Sequence, residues 1–388
     1  MDDLKRAIYS ASSATLRSTL EISGFGSADL LSRFHAFGSK LPEKETAETP
    51  LKQQPSNARL PKQQQQVNRS TNNHYINVVR SPGLSAFAPL QLGSATIHNN
   101  FWIPLIATMT IQPSVSVLIT GCSSGGIGHA LAMRFQQEGL TVFASARTIS
   151  KMGELVTMPH VTPVALDVTS VDSIQAAVTV VEKATGGRLD YLVNNAGIFA
   201  SIPLLDVPMD DAKRLFDTNV WGALNVTQAF SPLLIRAKGT IVYISSVTSC
   251  LHTPWIGVYS MSKAAMNVLG ETLRLELSPF DVKVLTVITG AVDTQIFDNT
   301  LRMTLPADSP YHPFLENIEK RAQTKAEEDL FPSWMPADQF ANKVVNDVVR
   351  KGKTGLTWRG ATASWIRVTT KYLWSGIIDR YLAYKSGL

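Results

Sequence analysis

The sequence has little cysteine, no long apolar run and no block of basic residues, and each absence removes a class of explanation. Two cysteines, Cys122 and Cys250, in 388 residues exclude a disulfide framework and suit a reducing compartment inside the cell. No uninterrupted apolar stretch approaches the ~20 residues that a membrane-spanning helix needs. Phe101 to Ala107 is apolar but far too short. The formal charge of +5 is small for this length and is not gathered into Lys/Arg runs, so nucleic acid is not an expected partner. No metal site is expected. What the chain does have is core material: 44% hydrophobic residues suffice for one large domain or two ordinary ones.

The composition changes near residue 110. Residues 40–75 carry two Gln runs, several prolines and scattered Asn, Lys and Ser. So few apolar residues cannot offset the entropy of ordering, which predicts a largely disordered N-terminal extension over 1–108. Lys5, Arg6 and Arg17 among Ser, Thr and Ala resemble a transit peptide, whereas Asp2 and Asp3 oppose that reading. Met109, just ahead of the folded pattern, is an alternative natural start.

From Ser114 the chain alternates short β-branched runs with amphipathic segments. Strands are expected at Val115 to Thr120, Thr141 to Ala146, Val161 to Leu166, Tyr191 to Val193, Thr240 to Ile244 and Val282 to Ile288. Helices are expected at His129 to Glu138, Val171 to Ala184, Tyr259 to Leu277 and 337–350. Fully apolar strands separated by helices predict an α/β fold: a Rossmann-type, doubly wound parallel sheet flanked by helices, in a single catalytic domain over 109–388.

The segment Thr120-Gly121-Cys122-Ser123-Ser124-Gly125-Gly126-Ile127-Gly128 lies between the first strand and the first helix. A pyrophosphate needs backbone N–H groups at a helix N-terminus and no side chain in the way, which glycines at this junction supply. Gly121, Ser123, Ser124, Gly126, Ile127 and Gly128 are the expected contacts. A tight strand–helix turn also wants glycine, so this segment alone is not decisive. Cys122 reads as a small filler of the turn. Arg147 follows the second strand, where this fold meets the adenosine ribose. A guanidinium there suits the extra phosphate of NADP, so NADPH/NADP is the expected cofactor. Asp167 and Val168, after the third strand, are placed near the adenine; the competing reading of Asp167 is a strand-end turn.

Tyr259 and Lys263 stand four residues apart at the start of a long helix, on one face. A phenol ionises near ~10 and is a poor base at neutral pH, but a neighbouring ammonium favours its ionised form. With Asn194-Asn195-Ala196-Gly197, Asn219 and Ser246 in the same chain order, the sequence resembles the short-chain dehydrogenase/reductase superfamily over about 114–300. Ser246 precedes Tyr259 by the family's usual interval. The resemblance implies catalysis by Ser246, Tyr259, Lys263 and Asn219, with Asn219 ordering a water in a proton relay. It implies cofactor contacts from Asn195, Ala196, Tyr259, Lys263, Val292 and Thr294. Ser245, the competing serine, reads as structural. Two departures stand out. The glycine turn has one residue more than the usual Gly-x-x-x-Gly-Ile-Gly, Gly125 or Gly126 being the extra one. Thr289 replaces the usual Pro before Gly290, which predicts a less rigid turn.

Within the superfamily the chain resembles fungal-type NADPH-dependent 1-acyldihydroxyacetone-phosphate reductases, on the glycine turn, Asn219-Val220-Trp221-Gly222 and Trp358-Arg359-Gly360. The same motifs resemble hydroxysteroid dehydrogenases and tailoring reductases of natural-product pathways. Residues 295–335 form the expected substrate lid. Its Ile296, Phe297, Leu301, Met303, Tyr311 and Phe314 suit a bulky apolar ketone. The tail, 360–388, mixes Trp365, Tyr372, Trp374, Tyr381 and Tyr384 with Arg367, Lys371, Arg380 and Lys385. That mixture suits a membrane interface, which would place a cytoplasmic protein at an endoplasmic-reticulum or lipid-droplet surface. Packing on the domain or against a second copy in a homo-oligomer is the alternative. The competing functions are oxidation of a hydroxysteroid-like alcohol by the same residues in reverse, and a non-catalytic NADP-binding module.

Overall fold

β-Branched runs of four to seven residues, each ending at a glycine or polar turn, form the strands. The computed structural model describes residues 115–295, 300–301, 304–322, 334–372 and 375–388. The expected extension over 1–108 lies outside these, as do Ile296, Phe297 and Met303 of the lid and Trp374 of the tail.

The strands are β1 (Ser116–Ile119), β2 (Thr141–Ala146), β3 (Val161–Ala165), β4 (Tyr191–Asn194), β5 (Thr240–Ile244), β6 (Lys283–Thr289) and β7 (Gly355–Arg359). They pair in parallel in one seven-stranded sheet, ordered β7-β6-β5-β4-β1-β2-β3. The order reverses at β1, which lies between β2 and β4. That reversal opens a crevice at the carboxyl ends of β1 and β4, where open α/β sheets bind ligands.

Both faces of the sheet are buried because alternate residues of each strand point to opposite sides. Val117, Ile119, Val142, Ala144, Val193 and Val242 meet α1 (Ile127–Gln137) and α7 (Ala337–Val345), through Leu131, Phe135, Phe340 and Val344. Leu118, Phe143, Leu192, Ile241 and Tyr243 meet α2 (Val171–Thr185), α4 (Gly222–Ala237) and α5 (Gly257–Glu276), through Ile174, Val226, Phe230 and Met266. The short α3 (Met209–Phe216) runs into α4 through a π-helical turn, Asp217–Trp221.

Beyond β6 the chain adds α6 (Leu315–Ala322), then α7 and β7, then the tail helices α8 (Ala363–Tyr372) and α9 (Ser375–Lys385). Ala363, Ile366 and Leu382 of the tail pack with Val247, Leu251 and Ile288. The tail is therefore packed against the domain along one face, while Trp365, Tyr372 and Tyr384 stay exposed. Among the described residues no helix is long and apolar enough to cross a membrane.

Candidate active site

The site begins at the β1–α1 turn. Thr120, buried directly after β1, ties that strand end to the end of β4 through its hydroxyl. Its Oγ1 accepts the N–H groups of Asn195 and Ala196, each at 3.0 Å. Asn195 returns the tie, with Nδ2 donating to the carbonyls of Thr120 (2.8 Å) and Gly121 (3.0 Å). The expected cofactor residues Gly121, Asn195 and Ala196 are thus brought together, and Thr120 is a holding residue that sequence reasoning passed over. Its signal was its position directly before Gly121.

Gly126 occupies the N-cap of α1 in an extended conformation, and no side chain caps the helix. The first-turn N–H groups have no intrahelical acceptor and are left for an anion. Gly125 lies directly before this N-cap residue. It adopts φ +74, a left-handed conformation suited to glycine, and its carbonyl accepts the Gln295 N–H at 3.2 Å. A Cβ on Gly128 would collide with the Gly121 carbonyl oxygen and stand 2.5 Å from Asn195 Nδ2, so α1 approaches the turn as closely as glycine permits. The cradle fits a pyrophosphate. Cys122 fills the turn as expected: it is buried, and burial pushes its thiol up to about 12.

Arg147 is exposed directly after β2. The following helical turns, Ile149–Val156, join it to the glycine turn, because the Lys151 carbonyl accepts the Ser124 N–H at 2.8 Å. Asp167 is half-buried after β3, and its Oδ1 accepts from Thr169 N–H (2.9 Å) and Thr169 Oγ1 (2.7 Å). The strand-end turn foreseen as its competing role is therefore present. Val168 is buried against Gly222 at the start of α4.

On the opposite side of the crevice, Val292 and Thr294 are both buried. Val292–Asp293 pairs in parallel with Met335–Pro336. Thr289 extends β6 in register with Arg359. Gly290 N–H donates to the Arg359 carbonyl at 2.8 Å, and Ala291 exchanges two hydrogen bonds with Ala361. Arg359 is itself fixed by the buried Asp347, Nε to Oδ2 at 2.7 Å. These ties supply the constraint that a proline at 289 would otherwise give.

The catalytic candidates come from three elements: α5, the π-helical turn and the turn that follows β5. Lys263, buried on α5, donates from Nζ to the Ile244 carbonyl at the end of β5, at 2.9 Å. Its Nζ lies 5.7 Å from the centroid of the Tyr259 ring. Burial lowers its pKa from 10.5 to about 8. Tyr259 is buried beside Phe199, ring centroids 5.0 Å apart in an edge-on arrangement. Asn219 lies in the π-helical turn; such irregular turns are frequent at functional sites. Its Oδ1 accepts the Ile198 N–H (2.8 Å), and its Nδ2 donates to the Ile198 carbonyl (3.0 Å) and Ser262 Oγ (3.1 Å). A Cβ on Gly197 would stand 3.2 Å from Asn219 Oδ1 and 3.7 Å from Lys263 Nζ, so Gly197 backs onto both groups.

Ser246 follows β5 and N-caps the helical turn Val247–Cys250. Its Oγ accepts from Thr248 N–H (3.2 Å) and Thr248 Oγ1 (3.0 Å). With two donors aimed at that oxygen, the Ser246 hydrogen is left to donate elsewhere, and it donates more strongly for being part of a chain. Thr248 is a second residue that sequence reasoning missed; a Thr two places after a capping Ser was the available signal. Ser245 is engaged inside the fold: its single hydroxyl hydrogen is within reach of the Lys263 carbonyl at 3.1 Å and of Asn267 Oδ1 at 2.5 Å.

Comparisons with known proteins bear on the family to which the chain belongs. The short chain dehydrogenase family profile matches residues 115–304. Short-chain dehydrogenase ptmH of Penicillium ochrochloron is 50% identical over 249 residues, covering 64% of this chain and 89% of that protein. The NADPH-dependent 1-acyldihydroxyacetone phosphate reductase of Schizosaccharomyces pombe is 38% identical over 242 residues, 61% of this chain and 79% of that one. Among solved structures, a short-chain dehydrogenase from Streptomyces avermitilis superposes with a TM-score of 0.57 at 26% identity, covering 71% of this chain and 97% of that one. This chain belongs to the short-chain dehydrogenase/reductase family of oxidoreductases.

Proposed function

We propose that the protein is an NADPH-dependent reductase of a ketone on a bulky, apolar molecule, an acyl-dihydroxyacetone-phosphate-like lipid or a polycyclic secondary metabolite. The observation that carries this reading is Lys263. A buried ammonium opposes folding, and groups so placed cluster where protons are handled. Here it lies beside Tyr259, Gly197 and Asn219.

NADPH, when bound, supplies the hydride. Gly121, Ser123, Ser124, Gly126, Ile127 and Gly128 would hold its pyrophosphate, and Arg147 would hold the ribose phosphate. Asp167 and Val168 would serve the adenine end, and Asn195, Ala196, Val292 and Thr294 the nicotinamide end. Ser246 donates its hydrogen to the ketone oxygen and stabilises the charge that develops there. Tyr259 Oη gives its proton to the same oxygen. Lys263 Nζ, its pKa lowered by burial to about 8, passes a proton toward Tyr259. Asn219, its side-chain amide engaged with Ile198 and Ser262, is the residue that the family resemblance gives the ordering of a relay water.

One relative's name supports the cofactor and the lipid-like substrate in this reading: it is called NADPH-dependent 1-acyldihydroxyacetone phosphate reductase. The experiment is NADPH oxidation by the purified chain against acyl-dihydroxyacetone phosphate, steroid, terpenoid and polyketide ketones. Turnover is expected with at least one apolar ketone, and Arg147→Asp is expected to weaken NADPH far more than NADH. No turnover across the panel in either direction would favour the non-catalytic binding module. Equal losses for the two cofactors would remove the role given to Arg147.

A further inference from the structure

Trp255 takes no part in the proton relay, yet its conformation is one that side chains avoid. It sits at φ +72, buried, four residues before Tyr259 in the loop that leads into α5. Such a residue persists only where its surroundings over-determine it. Its carbonyl accepts the Ile202 N–H at 2.6 Å. Its ring meets Tyr311 (centroids 5.6 Å, 75°) and Phe314 (5.9 Å, 32°) from segment 304–322. Its indole Nε1 donates to the Ser386 carbonyl at 3.1 Å, within the protein interior.

Ser386 therefore holds the loop, and it holds α6 as well. Its buried Oγ accepts from Nη2 of Arg321 at 3.3 Å, and Arg321 is itself buried on α6. The next residue, Gly387, lies so close to α6 that a Cβ there would collide with Asn317 Nδ2. The other side of α6 is anchored where Ser201 Oγ donates to the Ile318 carbonyl at 3.2 Å. Two adjacent tail residues thus join a loop running from Ser246 to Tyr259 with the helix expected to cover the substrate.

We propose that Ser386 and Gly387 form a clasp that fixes α6 against the Trp255 loop and so sets how bulky a ketone the site admits. Neither residue touches reacting atoms; both are positioning residues, acting through Trp255, Arg321 and Asn317. The selectivity half of this proposal rests on the ketone-reductase reading, whereas the clasp is tested without it.

The test uses the full chain and two variants. Trp255→Phe keeps a ring against Tyr311 and Phe314 but removes the indole donor. Gly387→Val drives a side chain into Asn317. Amide exchange across 304–322 is expected to accelerate by about tenfold or more in both variants, with the sheet amides of β1 to β6 unchanged. For Gly387→Val, KM for a steroid-sized ketone is expected to rise about fivefold or more, with kcat on a small cyclic ketone within about twofold. Unchanged exchange across 304–322 in both variants would overturn the clasp. Equal KM shifts for large and small ketones would overturn its role in selectivity. If the unaltered chain reduces no ketone, the functional reading fails while the exchange data still decide the clasp.

Discussion

Replacing Lys263 with Met should make the protein more stable and inactive at once. The folded protein holds this ammonium in its interior and lowers its pKa from 10.5 to about 8. At ~1.4 kcal/mol per pH unit, that difference is a penalty of about 3 kcal/mol on the charged form. The sign follows from proton counting. Below pH 8 both folded and unfolded chains carry the proton and the penalty is in full force. Between about 8 and 10.5 the folded protein has released a proton that the unfolded chain keeps, so stability rises with pH. From about pH 7 to pH 10 the gain is roughly 2–3 kcal/mol. Lys263→Met removes both the penalty and the slope, and it also removes the hydrogen bond to Ile244, worth about 1 kcal/mol. The variant should therefore be about 1–2 kcal/mol more stable at pH 7, with turnover lower by about 100-fold or more. Urea unfolding of both proteins at the two pH values isolates the effect, because every other titrating group is common to both. If the unaltered protein gained no more stability than Lys263→Met between the two pH values, the interior would not be suppressing the charge, and the role assigned to Lys263 would fail.

Two other substitutions test the pieces that position the site. Gly128→Ala should destabilise the fold by about 1–3 kcal/mol through overpacking, since its Cβ meets the Gly121 carbonyl and Asn195. Differential scanning fluorimetry should show a Tm lower by about 2–4 °C per kcal/mol, together with weaker NADPH binding. An unchanged Tm and unchanged affinity would mean α1 does not need that close approach. Thr248→Val keeps shape and removes the hydroxyl donor to Ser246. Losing about 1 kcal/mol of hydrogen bonding should lower kcat about fivefold with NADPH affinity intact. Loss of NADPH affinity with kcat preserved would contradict the part given to Thr248.

Much of this architecture is written in local pattern. β2 and β5 fall on the residues that their β-branched runs predict, Thr141–Ala146 and Thr240–Ile244. Helix α1 begins two residues earlier than its periodicity suggests, because Ile127 and Gly128, read as turn, already lie in its first turn. β7 escaped notice: it is short, starts with Gly355 and is only partly buried at the sheet edge, so neither alternation nor a long apolar run marks it. The four-residue spacing of Tyr259 and Lys263 on one helix face is weak evidence by itself. The candidate catalytic residues Ser246, Tyr259, Lys263 and Asn219 were legible because their chain order resembles a known family's. The groups that hold them were not. Thr120 acts on Asn195 and Ala196 from some seventy-five positions away, and Ser386 acts on Trp255 across 131 residues. Such contacts exist only once the sheet has formed. The tail divides between its two readings: Ala363, Ile366 and Leu382 pack with Val247, Leu251 and Ile288, while Trp365, Tyr372 and Tyr384 stay exposed.

The central claim is that Tyr259 delivers the proton in a ketone reduction. Tyr259→Phe, assayed by NADPH absorbance with a ketone that the unaltered protein turns over, measures it directly. The account predicts NADPH affinity within about twofold of the original and kcat lower by about 100-fold or more. Turnover unchanged in Tyr259→Phe would contradict it.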